Sequence, residues 1–204
     1  VAFYTLGCKV NQYESEAIAE LFFKEGYKCV DFEEFADVYV INTCSVTNMA
    51  DRKSRQMLHR ARKQNPEGIV VAIGCYVQAD AFHIAQDDAI DLLIGNNLKK
   101  DIAEILDRYM NWEEPELSHL DAEEYNFIKK TLNNTTIVDV KKVDFEDAMM
   151  EHTAEHARAY IKIQDGCDRF CSYCIIPFAR GRIRSKPLAE IEFEAKELAK
   201  THDE

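Results

Sequence analysis

The sequence predicts an α/β fold: an open parallel sheet with helices on both faces over residues 1–110. Two observations carry this. Strand-like and helix-like patterns alternate along that stretch, and each of the first three strand-like runs is followed by a cysteine. Strands alternating with helices imply a parallel sheet with helices packed against it. A chain of 204 residues can bury a sizeable core in one large or two modest domains.

The elements follow in order. "VAFYTL" (1–6) reads as a buried strand, and the stretch after it places Ala17, Ile18, Leu21 and Phe22 on one helical face. "DVYVI" (37–41) is the second strand. Asn48 then reads as an N-cap, with Asp51 favouring the positive helix end and Ala50, Ser54, Met57, Leu58 and Ala61 at helical spacing. "GIVVAI" (68–73) and "DLLIG" (91–95) are the third and fourth strands, and a helix is expected over 98–110.

Residues 111–158 read as an acidic linker or insertion, with twelve acids against five bases leaving −7, and with irregular "LNNTT". Within it "TTIVDVKKV" (135–143) alternates enough for an edge strand. A second unit is expected over 159–204. It has a strand "YIKIQ", a cysteine loop, and a helix opening at Pro187 with Leu188, Ile191, Ala195, Leu198 and Ala199 on one face. A single β/α unit closes no core, so this second domain is expected to be incomplete.

Composition excludes several classes. Hydrophobic content of 47% with 30% charged residues describes a globular chain, neither disordered nor membrane-embedded. No apolar run approaches the ~20 residues of a spanning helix, and "VAFYTLG" has no signal-peptide character. The expected location is cytoplasmic, with no membrane partner. A net charge of −12 argues against a generic nucleic-acid binder. Seven cysteines without an export signal point to metal or redox chemistry instead of disulfides.

Those cysteines fall into two sets and a spare. Cys8, Cys44 and Cys75 follow strands one, two and three, with 35 and 30 residues between them. In a parallel sheet these are C-terminal strand ends, the edge at which open α/β sheets bind ligands. Cys167, Cys171 and Cys174 stand at C-x3-C-x2-C spacing after Gly166. Zinc closes its structural sites with four ligands, and a four-iron cube usually takes four thiolates. Three thiolates therefore leave one corner of such a cube open to a small chelating molecule. The following "ARGRIR" supplies positive charge beside it.

"GCDRFCSYC" (166–174) resembles the signature of radical S-adenosylmethionine enzymes, including the aromatic Tyr173 before the last cysteine. Taken with "TLGCKVNQYESE" (5–16), "NTCSVTNMADRKSRQ" (42–56) and "IGCYVQ" (73–78), it resembles the methylthiotransferases. The wording is closest to the branch acting on N6-threonylcarbamoyladenosine at position 37 of tRNA. The resemblance implies two [4Fe–4S] clusters, one on Cys8, Cys44 and Cys75 and one on Cys167, Cys171 and Cys174. S-adenosyl-L-methionine would bind the open iron of the latter, with its adenine against Tyr173. It also implies a 5′-deoxyadenosyl radical that takes hydrogen from adenine C2 before a methylthio group is added. The partners implied are the tRNA anticodon loop and an electron donor such as a flavodoxin or ferredoxin. No catalytic residue beyond the cluster ligands is implied, and this chain alone is expected to be inactive. The fold implied is a methylthiotransferase N-terminal domain followed by the start of a radical-enzyme partial barrel.

Plainer readings stand beside these. The chain is otherwise a non-catalytic iron–sulfur or zinc module, or a methylthiotransferase acting on a ribosomal protein or on isopentenyladenosine in tRNA. Cys29 reads as ordinary packing. His152 and His156 in "HTAEH" read as solvated surface. Arg52, Lys53, Arg55, Arg60, Arg62 and Lys63 read as a solvated face or a phosphate contact. Arg180, Arg182 and Arg184 either hold the loop or meet substrate phosphate.

Overall fold

The computed structural model describes residues 1–113, 120–140, 159–200 and 202. Strands β1 (Ala2–Thr5), β2 (Val38–Thr43), β3 (Ile69–Gly74) and β4 (Leu92–Ile94) form one parallel sheet in the order β1-β2-β3-β4. Helices α1 (Lys9–Lys24), α2 (Asn48–Gln64) and α3 (Cys75–Ile84) make the first three crossovers. A 3-10 turn (Asn96–Asp101) then leads into α4 (Ile102–Met110). The expected helix over 98–110 therefore begins as a tighter coil.

Side-chain alternation explains the layers. Val38, Val40, Val71, Ile73, Leu92 and Ile94 point to one face, where Ile18 and Phe22 of α1 and Ile102, Ile105 and Leu106 of α4 cover them. Tyr39, Ile41, Val70, Ala72 and Leu93 point to the other, beneath Met57, Leu58 and Ala61 of α2 and Val77 and Ile84 of α3. The period of two along a strand makes this division, and full burial of each large aliphatic side chain contributes about 1.5–3 kcal/mol.

The start of α2 differs from the sequence reading. Thr47, not Asn48, is the N-cap, and its hydroxyl accepts the Ala50 N–H at 3.1 Å. Asn48 is already the first helical residue. Thr47→Ala is expected to cost about 1 kcal/mol in urea unfolding, whereas Asn48→Ala should change little.

Further differences lie beyond Asn111. Part of the expected linker is a helix, α5 (Ala122–Lys130), capped by Asp121, whose carboxylate accepts the Glu124 N–H at 2.9 Å. Residues 135–140 form no strand; instead the Thr136 carbonyl accepts the Gly95 N–H at 2.8 Å, and its hydroxyl donates to Leu93 O at 2.5 Å. Three consecutive left-handed residues, Leu132, Asn133 and Asn134, turn the chain just before this point and take it out of strand geometry. Residues 141–143, His152 and His156 lie outside the described residues.

In the last region β5 (Gln164–Asp165) is the only strand formed from "YIKIQ", and it pairs antiparallel with β6 (Arg184–Ser185). Between them lie the cysteine loop and the short α6 (Ile176–Ala179), and α7 (Leu188–Leu198) follows. The buried face of α7 is only in part the one expected: Leu198 is buried and Ile191 and Ala195 are half-buried, but Leu188 and Ala199 are exposed and Glu194 is buried. The reason is polar. Glu194 is drawn inward by the Tyr13 hydroxyl, which donates to Oε1 at 2.6 Å, and by the ammonium of Lys186.

Candidate metal centres

Parallel pairing brings the first cysteine set to one edge of the sheet. Cys8 caps α1 two residues after Leu6, Cys44 directly follows β2, and Cys75 opens α3 directly after β3. Cys44 and Cys75 are buried, and Cys8 is exposed. Two glycines let these strand ends approach. A Cβ on Gly7 (φ +96°) would stand 2.5 Å from Cys44 Sγ, and one on Gly74 (φ +105°) would stand 2.4 Å from the Thr43 carbonyl oxygen. Both backbones are left-handed, which only glycine adopts readily. The dipeptides Gly7-Cys8 and Gly74-Cys75 were the sequence signal for this closeness.

Polar side chains fix the backbone around these thiols. Ser54 Oγ accepts the Cys44 N–H at 3.3 Å and donates to its carbonyl at 3.2 Å. Asn11 Nδ2 donates to the Leu6 and Thr43 carbonyls at 2.7 and 2.9 Å. Asn96 Nδ2 lies 3.7 Å from Cys75 Sγ, and Asn96 Oδ1 is buried with no hydrogen-bond partner among the described residues. Burial pushes the Cys44 thiol up; the Val46 backbone opposes this, the Cys75 and Cys8 charges add to it, and Arg180 lowers it again. Among the described residues, no group of three His, Cys, Asp or Glu side chains is arranged to hold a single metal ion. A four-iron cube is held at its corners and needs a wider set, and three thiols beside a buried unpaired amide oxygen fit that demand.

The second set occupies the loop between β5 and α6. Gly166 (φ +78°) admits the Arg182 carbonyl oxygen to within 2.1 Å of where a Cβ would stand. The Cys167 N–H donates to the Gly181 carbonyl, and the Cys174 N–H to Cys171, each at 3.0 Å. Phe170 is left-handed at φ +47° and stacks edge-on to Phe178, while Arg182 lies 5.1 Å over its ring. Cys171 is exposed, and Tyr173 is 90% exposed. The Tyr173 ring is thus available to another molecule and does not serve the core.

The three arginines after this loop separate by role. Arg180 is 3% exposed and donates to Glu14 Oε1 at 2.8 Å, Asn11 Oδ1 at 2.7 Å and Asp165 Oδ1 at 3.1 Å. Arg184 is partly buried and donates to the Arg180 carbonyl at 2.6 Å. Arg182 alone of the three is exposed. Arg180 is therefore structural and meets no phosphate.

On α2 the basic face thins out similarly. Arg55 donates to the Tyr76 hydroxyl at 3.1 Å, Arg60 pairs with Glu33, and Arg62 binds the Pro66 and Gly68 carbonyls at 2.9 and 2.7 Å. Arg52 and Lys53 are exposed and, with Leu6, Gly7 and Met49, line a cavity of about 430 Å³ beside the first cysteine set. Cys29 is exposed, contrary to the packing expected of it, because it lies on the open edge beyond α1, where its thiol donates to Ala19 O at 3.8 Å.

The residue most important to this geometry carried no functional reading. Glu14, 3% exposed on α1, accepts from Lys99 Nζ at 2.6 Å, Lys162 Nζ at 2.8 Å and Arg180. Lys162 also pairs with Asp165 at 3.0 Å. Burial alone would raise the Glu14 carboxyl, but Arg180, Lys99 and Lys162 outweigh it and hold the group well below the usual carboxylate range. Only the position of a charged residue amid "NQYESEAIAE" hinted at it.

Comparison with known proteins gives likenesses over nearly the whole chain. Residues 1–95 match the family described as "Uncharacterized protein family UPF0004". The chain is 40% identical over 198 residues to the threonylcarbamoyladenosine tRNA methylthiotransferase MtaB of Bacillus subtilis (strain 168), covering 97% of this chain and 40% of that protein. It is 38% identical to the MtaB of Aquifex aeolicus (strain VF5), covering 98% and 44%. To the tRNA-2-methylthio-N(6)-dimethylallyladenosine synthase of Methylacidiphilum infernorum (isolate V4) it is 34% identical, covering 97% and 40%. The chain thus spans about two fifths of the length of the curated relatives it matches. With its four-stranded parallel sheet and this likeness over nearly its whole length, the chain is similar to the tRNA methylthiotransferases, and its first 95 residues match the UPF0004 family.

Proposed function

We propose that this chain is the cluster-bearing part of a tRNA methylthiotransferase that modifies C2 of N6-threonylcarbamoyladenosine at position 37. Cys8, Cys44 and Cys75 hold one [4Fe–4S] cluster, and Cys167, Cys171 and Cys174 hold the other with S-adenosyl-L-methionine at its open iron. When bound, these groups supply radical generation at the second set and sulfur at the first. The observation carrying this reading is one side chain that links the two regions: Asn96 contacts both Cys75 Sγ and, at 2.6 Å, the carbonyl of Ala179 at the end of α6, five residues after Cys174.

The chain's own residues bind, orient and shield. Gly166 and the Gly181 carbonyl fix the entry to the second thiolate loop. Tyr173 and Phe170 present exposed rings for a nucleoside face. Arg52 and Lys53, exposed beside the first set, suit the phosphates flanking an extruded base despite the net charge of −12. We assign residues 1–110 to the first domain and 159–204 to the beginning of a second, joined by the acidic segment. The other partners of the reading are an electron donor of flavodoxin or ferredoxin type and no membrane; among the described residues no helix is long and apolar enough to cross one.

Nucleoside mass spectrometry of tRNA from a strain lacking the complete gene tests this. The expected result is complete loss of 2-methylthio-N6-threonylcarbamoyladenosine, with the unmodified nucleoside accumulating. Loss confined to the methylthio form of isopentenyladenosine transfers the activity to that substrate. An unchanged nucleoside profile rejects tRNA as substrate.

A further inference from the structure

Three consecutive residues, Ala179–Gly181, tie the two cysteine sets together. The Ala179 carbonyl accepts from Asn96 Nδ2 at 2.6 Å, and that nitrogen lies 3.7 Å from Cys75 Sγ. The Gly181 carbonyl accepts the Cys167 N–H at 3.0 Å. Between them Arg180 enters the first domain, donating to Asn11 Oδ1 at 2.7 Å. Asn11 in turn holds the Leu6 and Thr43 carbonyls, just ahead of Cys8 and Cys44. Gly181 (φ +77°) is locked in place, since a Cβ there would stand 2.4 Å from the Val140 carbonyl oxygen.

Charge adds a second argument. Around Arg180 the buried anions are Glu14 and Asp165, and the cations are Arg180, Lys99 and Lys162. Arg184 also stands 4.0 Å from Asp165, so cations crowd these two carboxylates. Thiolate-bound iron–sulfur groups are anionic, and nearby charge helps set their potentials.

We propose that Arg180 is a positioning residue for the first cysteine set: carried on the loop of the second set, it places a fixed positive charge behind Cys44 and Cys75 that stabilises the reduced state of the group held there. This inference rests on the cluster reading above. Because Arg180 is built into the second loop, the electronic state of the first site depends on the docking of the second.

The test uses the complete protein with Cys167, Cys171 and Cys174 all changed to Ala, so that only the first set takes up iron. After anaerobic reconstitution, the midpoint potential is measured by spectroscopically monitored titration. Arg180→Gln is expected to shift the reduction equilibrium about tenfold toward the oxidised form, about 59 mV lower for one electron. Arg180→Lys, which keeps the charge, should restore most of that loss. Asp165→Asn, which removes an opposing charge, should shift the potential upward. A loosened fold would move all three the same way, so opposite signs identify charge as the cause. Equal potentials in all variants, or one common direction of shift, overturn the inference. Should Arg180→Gln fail to load iron, the other pair decides: a near-parental Lys variant with a raised Asn variant supports it, and any other pattern rejects it. A parent protein that takes up no iron overturns the cluster reading itself, and the role of Arg180 with it.

Discussion

Replacing Glu14 with Ala is expected to destabilise the protein by about 3–5 kcal/mol, the usual effect of stripping one partner from a buried ion network. Lys99, Lys162 and Arg180 all converge on this carboxylate, and each is nearly excluded from water. Without it Arg180 keeps Asp165 and Asn11 Oδ1, Lys162 keeps Asp165, and the Lys99 ammonium keeps Asn42 Oδ1 at 3.1 Å. Urea unfolding of the two proteins at neutral pH measures the difference, and a loss under 1 kcal/mol would show that the network tolerates the vacancy.

The same carboxylate makes stability pH-dependent, and its sign is fixed. The folded-state pKa of Glu14 is depressed, by cations that outweigh burial, and that of Asp165 is lowered by Arg180 and Lys162 against the same opposing burial. A depressed pKa contributes stability that is complete above the unfolded value, about 4.3 for Glu. It is lost as pH falls through the folded value. The parent protein should therefore lose stability steeply on acidification below that point. Glu14→Ala, having no such group to protonate, should show a shallower slope.

The fold was largely legible because the signals for it are local and repeated. The four apolar runs and the helical stripes of Ala17, Ile18 and Phe22, and of Met57, Leu58 and Ala61, each announce a buried face within a few residues. Strand order then gathers Cys8, Cys44 and Cys75 at one edge without further information. What stayed hidden depends on partners far along the chain. Glu14 meets Arg180 across 166 positions, and Tyr13 meets Glu194 across 181. No periodicity in α1 or α7 reveals such a pair, so the apolar pattern of α7 places Leu188 in the core and says nothing of Glu194. The strand "YIKIQ" and residues 135–140 of the expected edge strand fell short for a related reason. Their pairing is limited by neighbouring turns, left-handed at Leu132 to Asn134 and at Gly166.

Each set of three thiolates should hold its own cluster, and this second large effect tests the account most directly. Anaerobic reconstitution of the complete protein, with iron counted against protein, should give about eight irons per chain. Changing Cys8, Cys44 and Cys75 together to Ala should leave about four, and so should changing Cys167, Cys171 and Cys174. Only the first of these variants should keep the reductant-dependent cleavage of S-adenosylmethionine. The two losses should also be independent, since no thiol is shared between the sets. Retention of about eight irons after the loss of Cys8, Cys44 and Cys75 would contradict the account.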